Sequence, residues 1–200
     1  MRSLVPSGPG RYHRGVDGQG RPTEAGGARL ARQIAEALRG GAFDPQHAGD
    51  LFLRADAEQA IRQALGTGTP GLSIAVAGRD DARVRGVSFM GARYAPDLVV
   101  EPPGERPLAV TLTLLRGDAG PVAMALATAL VLSVRYQAVV AFVLDRRLAK
   151  RDPFGSIEDD APAAPERRAL SDAERAFLDQ LWERHRVLVE IRHQDPFGWG

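Results

Sequence analysis

The side chains that could carry out chemistry in this sequence are carboxylates, arginines and hydroxyls. The 200 residues include no cysteine, which excludes disulfides, zinc–thiolate sites, iron–sulfur clusters and thiol nucleophiles. Lys150 is the single lysine, so a mechanism that needs an amine has one candidate. The glycine-rich stretch 66–71 lacks the Gly-Lys-Ser/Thr of a phosphate-binding loop, and the spacing of His185 and His193 matches no metal motif.

One acidic residue opens a predicted strand, and hydroxyl groups lie on the next predicted strand. Asp97 follows Pro96 at the start of a short apolar run, and Thr111 and Thr113 lie in the middle of the run 108–115. An apolar helix and then a continuous apolar strand come after them. Because Pro-Asp is also ordinary turn chemistry, the dipeptide alone fits both a turn and a site.

This order of motif and elements, from about residue 54 to residue 145, resembles the PD-(D/E)XK nuclease superfamily, the restriction-endonuclease-like fold. In that family Pro-Asp opens one strand, Glu-x-Lys lies in the middle of the next, and a helix and a core strand follow. Pro96-Asp97 matches the Pro-Asp, whereas the Glu position falls on Thr111 and the Lys position falls on Thr113. The resemblance therefore implies a nuclease-like sandwich whose catalytic motif is degenerate.

The resemblance also implies a Mg²⁺ site that has lost most of its ligands. Family members hold Mg²⁺ with two carboxylates on neighbouring strands, and the metal and the lysine activate the attacking water. Asp97 with a carbonyl and a hydroxyl would hold the ion weakly, and Thr113 supplies no positive charge. We therefore expect no cofactor, and we expect a nucleic-acid-binding or complex-assembly subunit rather than an enzyme.

The alternative is an active Mg²⁺-dependent DNA nuclease with relocated ligands. Glu58 on the preceding helix and Glu190 on the last strand are candidate carboxylates, and Lys150 is a candidate cation. Glu101 shares a strand face with Asp97 but lies about 13 Å along the strand, too far to share an ion. No combination restores the Glu-x-Lys spacing. A third hypothesis is an unrelated α/β domain, which a sheet with the Asp97 and Thr111 strands apart would establish.

The binding hypothesis depends on arginines and on one apolar helix. Five arginines near the strands that flank the Asp97 position are candidates to hold phosphates: Arg79, Arg83, Arg85, Arg93 and Arg116. The Val122–Val134 helix has more apolar surface than one sheet face covers. It either packs against the predicted helix Ala31–Leu38 or forms a homodimer or partner interface. Nucleic acid and a protein are the two classes of partner expected.

The remaining patterns predict an α/β fold with a mixed central sheet flanked by helices. Predicted strands lie at Leu72–Ala77, Arg83–Phe89, Asp97–Glu101, Leu108–Leu115, Val139–Leu144 and Val187–Ile191. Capping boxes that begin at Asp56 and Ser171 predict the starts of two helices. Residues 1–27, rich in Gly, Pro and Arg, are expected to form a flexible arm, and residues 28–200 a single domain with a polar loop at 151–168.

Charge and hydropathy limit the choice of partner and compartment. The 26 basic and 25 acidic residues nearly balance, so the chain as a whole is no polycation. No uncharged run is longer than 119–134, which is shorter than the ~20 residues that a membrane span requires. We expect a soluble, cytoplasmic protein with no membrane partner.

Overall fold

A computed structural model describes residues 26–44, 49–66, 70–116, 120–146 and 171–194. The predicted polar loop at 151–168, Lys150 and all but the last two residues of the predicted arm lie outside these ranges. Those two, Gly26 and Gly27, already belong to the first helix. Within the described residues, no helix combines the length and the apolar character needed to cross a membrane.

The described chain forms four helices and seven strands. The helices are α1 (Gly26–Gly40), α2 (Asp50–Leu65), α3 (Gly120–Leu132) and α4 (Asp172–His185). The strands are β1 (Ser73–Val76), β2 (Val87–Phe89), β3 (Ala92–Tyr94), β4 (Leu98–Glu101), β5 (Leu108–Leu115), β6 (Val139–Asp145) and β7 (Val187–His193). This is the predicted α/β class, with helices on both faces of a mixed sheet.

The main sheet has five strands in the order β1-β4-β5-β6-β7. The pairs β1–β4 and β4–β5 are antiparallel, whereas β5–β6 and β6–β7 are parallel. Strand β6 is buried at every residue, as a continuous apolar run predicts for the covered part of a sheet. Strands β4 and β5 are neighbours, with Leu98 opposite Val110, so the separation that would have indicated an unrelated domain is not found.

The two faces of the sheet bury separate apolar clusters. Helices α1 and α2 pack on one face through residues such as Ile34 and Ile61, and α3 packs on the other through Ala129 and Leu132. The expectation that the apolar helix packs against α1 is therefore wrong, because the sheet lies between them. The helix also ends at Leu132, before Val134, and Val134 is exposed.

The capping signals predicted one helix start correctly and one incorrectly. Ser171 and Glu174 form the predicted capping box, with side chain and backbone bonded in both directions. Asp56 lies inside α2, which begins at Asp50, and its carboxylate accepts from the Asp44 N–H at 3.3 Å instead. The buried spacing that begins at Leu53 extends the helix upstream, so packing outweighs the local capping pattern.

The predicted strand Arg83–Phe89 is mostly a turn followed by one arm of a hairpin. The N–H groups of Arg83 and Val84 both donate to the Asp80 carbonyl, which keeps this segment out of the sheet. Within the described ranges, strand β2 pairs only with β3, and the residues between them, Met90 and Gly91, both have positive φ, at 48° and 80°. Two such residues make the tight turn that suits a two-residue hairpin.

Candidate functional site

Asp97 lies at the entry of β4 and is bound there by its backbone. Its N–H donates to the Val110 carbonyl at 2.9 Å, and its carbonyl accepts from the Ala77 N–H at 2.8 Å. The carboxylate oxygen Oδ2 accepts from the Leu112 N–H at 2.8 Å. Asp97 thus joins β1, β4 and β5 at the point where the ladder between β4 and β5 ends. This side chain has a structural use that a turn aspartate would not need.

The second carboxylate oxygen of Asp97 is bound to an arginine. Arg54 of α2 donates through Nε to Oδ1 at 2.8 Å, and both side chains are largely buried. A guanidinium therefore balances the charge that a Mg²⁺ ion would balance in the family that the sequence resembles. Sequence reasoning missed Arg54, because no motif marks it and tertiary packing alone brings α2 to β4.

Thr111 and Thr113 lie on β5, at the positions where the family pattern would have Glu and Lys. Together with Asp97 they line a cavity of about 340 Å³, whose other wall is the start of α3 with Pro121 and Met124. Thr111 is 5% exposed, and among the described residues its Oγ1 has no hydrogen-bond partner. The cavity therefore combines neutral hydroxyls with apolar walls.

These residues do not fit a Mg²⁺ ion. Magnesium prefers carboxylate oxygens at short distances, and both oxygens of Asp97 already accept from donors within the chain. The hydroxyls of Thr111 and Thr113 carry no charge to replace the missing carboxylate. Across the described ranges, no group of three or more His, Asp or Glu side chains is arranged to hold a metal.

The two candidate relocated carboxylates, Glu58 and Glu190, and the more distant Glu101 are each paired with arginine. Glu58 accepts from Arg79 at 2.8 and 2.9 Å, and these hydrogen bonds lower the pKa of Glu58. Glu101 accepts from Arg83, and that hydrogen bond lowers the pKa of Glu101. Glu190 accepts from its own arginine partner on α1 at 2.6 and 2.7 Å. Glu190 lies on β7, three strands away from the β4 strand that Asp97 opens, and Lys150 lies outside the described residues.

The five candidate arginines do not form one surface. Arg79 is committed to Glu58, and Arg83 is committed to Glu101. Arg116 directly follows β5, and it lies roughly 26 Å along that strand from Leu108, where the strand begins. Arg85 and Arg93 are exposed, and neither guanidinium has a hydrogen bond or an ion pair with another described residue.

Arg83 and Arg85 instead join a group at the opposite end of α3. A second cavity, of about 240 Å³, is lined by Arg83, Arg85 and Arg135, with Glu101 as its carboxylate. We call this cavity the arginine cleft. Arg93 lies next to it. The Arg93 Nε is 3.1 Å from the place that a Cβ on Gly86 would occupy, and Gly86 directly follows Arg85. The arginine cleft therefore has an excess of positive charge.

Two contacts hold the arginine cleft in shape. The buried Tyr136 hydroxyl donates to the Arg85 carbonyl at 2.6 Å, and burial raises the pKa of this tyrosine. Arg106 donates to the Arg135 carbonyl at 2.8 Å, beyond the last turn of α3, where a cation also favours the helix dipole. Sequence reasoning missed Arg106 and Arg135, since nothing local links them to the strands that carry the other arginines.

Comparison of the chain with protein-family models, with curated proteins and with solved structures finds no match. The likeness to the PD-(D/E)XK superfamily therefore depends on Pro96-Asp97 and on the order of the elements, and it stays a prediction.

Proposed function

We propose that this protein binds the phosphate backbone of nucleic acid through the arginine cleft, as a catalytically degenerate relative of the PD-(D/E)XK nucleases. The observation that carries the proposal is the excess of guanidinium groups at one end of α3. Arg85 and Arg135 line the arginine cleft, and among the described residues neither side chain forms a hydrogen bond or a salt bridge with a carboxylate, although the charge of Arg85 acts on Glu101; Arg93 is adjacent. Guanidinium groups donate to phosphate oxygens in a geometry that suits backbone contacts.

The loss of catalysis in this proposal is supported by the state of Asp97. In the resembled family the strand-opening aspartate holds the metal, whereas here Arg54 and the Leu112 N–H engage its two oxygens. An aspartate in such a pair would have to give up a charge-assisted hydrogen bond before it could bind an ion. The order of β4, β5, α3 and β6 agrees with the resemblance, and the chemistry of the family does not carry over with it.

A salt titration of nucleic-acid binding tests this function. The affinity for a labelled DNA duplex is measured by fluorescence anisotropy over a range of salt concentrations. Because each phosphate contact releases about one counterion, the Arg85→Ala/Arg135→Ala variant is expected to lose affinity and to reduce the salt slope by about two. Arg29→Ala is the matched control, since Arg29 is exposed on α1, across the sheet from the arginine cleft.

Two results would overturn the proposal. One is that the wild-type protein shows no salt-dependent binding to DNA or RNA. The other is that the Arg85→Ala/Arg135→Ala variant changes the salt slope no more per arginine removed than the Arg29→Ala control does, because the binding would then come from general charge and not from the arginine cleft.

The second candidate function is assembly, and the specific observation for it is the outer surface of α3. The 13 residues of this helix include no charged side chain, and Met124 is 63% exposed. We propose a second copy of the chain as the occupant, because an uncharged surface can meet its own copy around a two-fold axis. Light scattering is expected to give a dimer that Met124→Glu dissociates, and a monomer at high concentration would rule this candidate out.

A further inference from the structure

The β2–β3 hairpin presents large apolar side chains to solvent at a strained turn. Met90 is 90% exposed and Phe89 is 52% exposed. Met90 also has a φ of 48°, a left-handed conformation that favours Gly, Asn or Asp and costs energy for methionine. An exposed apolar residue in a backbone conformation that disfavours it needs a reason outside the folding of the hairpin.

The surroundings of this tip are positively charged. The segment 82–96 contains three arginines and no acidic residue. Arg93 lies opposite Ser88 on the hairpin, and both are exposed, whereas Val87 and Tyr94 at the base are partly buried. The arginine cleft adjoins that base through Arg85. The tip is therefore apolar and its flanks are cationic, a combination that complements a groove with anionic walls and apolar groups on its floor.

We propose that the β2–β3 hairpin enters the major groove of duplex DNA and packs Met90 and Phe89 against thymine methyl groups. This inference rests on the proposed function, and it adds the kind of nucleic acid and a preference among bases. Arg85 and Arg93 at the base of the hairpin then contact phosphates that border the groove. The C5-methyl group of thymine is the apolar group that the major groove offers, and apolar side chains contact it.

The dimensions of the hairpin agree with this placement. Residues 88–90 and 91–93 form the exposed outer part of the ribbon, about 10 Å long at ~3.4 Å per residue. The major groove of B-DNA is about 8.5 Å deep and about 12 Å wide, and it admits a two-stranded ribbon. The major groove of A-form RNA is too deep and narrow for side chains to read. DNA is therefore the partner that the hairpin fits.

Replacement of thymine by uracil tests the inference, because it removes the methyl groups and leaves the base pairing and the phosphates unchanged. Two labelled duplexes of one AT-rich sequence, one with thymine and one with deoxyuridine, are compared by anisotropy at a single salt concentration. The wild-type protein is expected to bind the thymine duplex about fourfold more tightly for each methyl group that it covers.

Met90→Asn is the informative variant, since Asn-Gly is a favoured pair for this turn and the hairpin keeps its shape. It is expected to lose the part of the discrimination that comes from Met90, and the Phe89→Ser/Met90→Asn variant is expected to bind both duplexes equally. Leu51→Ala, which removes an exposed large apolar side chain on α2, outside the hairpin, is expected to keep the discrimination.

The outcomes separate this inference from the function on which it rests. Equal wild-type binding to the two duplexes, with the salt dependence intact, overturns the hairpin inference and leaves the arginine cleft standing. Absence of salt-dependent binding to any nucleic acid overturns both. Tighter binding to an RNA duplex, or to vesicles of an anionic lipid, with Met90→Asn lowering that binding, identifies a different occupant and also overturns the inference.

Discussion

Asp97 is the residue at which the sequence resemblance and the observed contacts differ most in meaning. The resemblance makes it a remnant metal ligand, whereas its contacts make it a joint between α2, β4 and β5. Its two oxygens accept from Arg54 and from the Leu112 N–H, both at 2.8 Å. These contacts give Asp97 a role in the folded structure that requires no catalysis.

The contacts of Asp97 with Arg54 and Leu112 predict which of two Asp97 variants is the less stable. Asp97→Ala removes the acceptor of a partly buried guanidinium and of a backbone N–H, and we expect a loss of about 2–3 kcal/mol in the free energy of unfolding. Asp97→Asn keeps an oxygen for the Leu112 N–H and is expected to cost about 1 kcal/mol. Urea unfolding measures both values. A loss below about 0.5 kcal/mol for the alanine variant would contradict the structural role.

Thr111 allows a second test at the residue scale. Its buried hydroxyl has no partner among the described residues, so a buried polar group is left unsatisfied. Thr111→Val removes that group at nearly the same shape, and we expect the free energy of unfolding to rise by about 1 kcal/mol. Thr113→Val on the same face is the control, because Thr113 is only partly buried and its change should stay near zero. A destabilised Thr111→Val variant would mean that the hydroxyl has a partner.

At the scale of elements, ion pairs bind helix α2 to one end of the sheet. Arg54 and Glu58 lie one turn apart on this helix, and they pair with Asp97 at the entry of β4 and with Arg79 in the turn after β1. Arg62 also donates to Glu58, at 2.9 Å, within the helix. The helix thereby engages two of the carboxylates that a relocated metal site would have used.

The ion pairs of Glu58 on α2 predict a dependence of the free energy of unfolding on pH. The hydrogen bonds from Arg79 and Arg62 lower the pKa of Glu58 below its ordinary 4.5. Between the lowered pKa and pH 4.5, the folded state therefore binds fewer protons than the unfolded state. The stabilisation is complete above pH 4.5 and is lost as the pH falls through the lower pKa of the folded state. We expect Glu58→Gln to cost about 1 kcal/mol at neutral pH and less at about pH 3. Urea unfolding at the two pH values checks this, and a cost that does not change with pH would contradict it.

The β2–β3 hairpin shows why one element could not be predicted from the sequence. A turn between two strands is usually signalled by Asn-Gly or Asp-Gly, and here the first turn position is Met90. The predicted strand therefore ended at Phe89, and the returning strand Ala92–Tyr94 was not predicted. Met90 is also the most exposed large apolar side chain among the residues that the structure describes.

At the scale of the whole molecule, the periodicity of apolar residues predicted the helices and strands that form the layers. It did not predict the charged contacts between those layers. The continuous apolar run of β6 and the capping box at Ser171 predicted their elements correctly, because burial and capping are local signals. The adjacency of Asp97 and Thr111 was expected from the family resemblance, and β4 and β5 are neighbours. Arg54 and Arg135 could not be predicted, since their partners lie far away in sequence.

The most direct test of the whole account is one mixture of the protein with a labelled DNA duplex, first in EDTA and then with excess Mg²⁺. Anisotropy reports binding, and a denaturing gel of the same sample reports cleavage. We expect salt-dependent binding in EDTA, unchanged affinity after Mg²⁺ is added, and intact DNA. DNA that is cut only with Mg²⁺, and no longer cut by Asp97→Asn, would contradict the account, as would the absence of binding under both conditions.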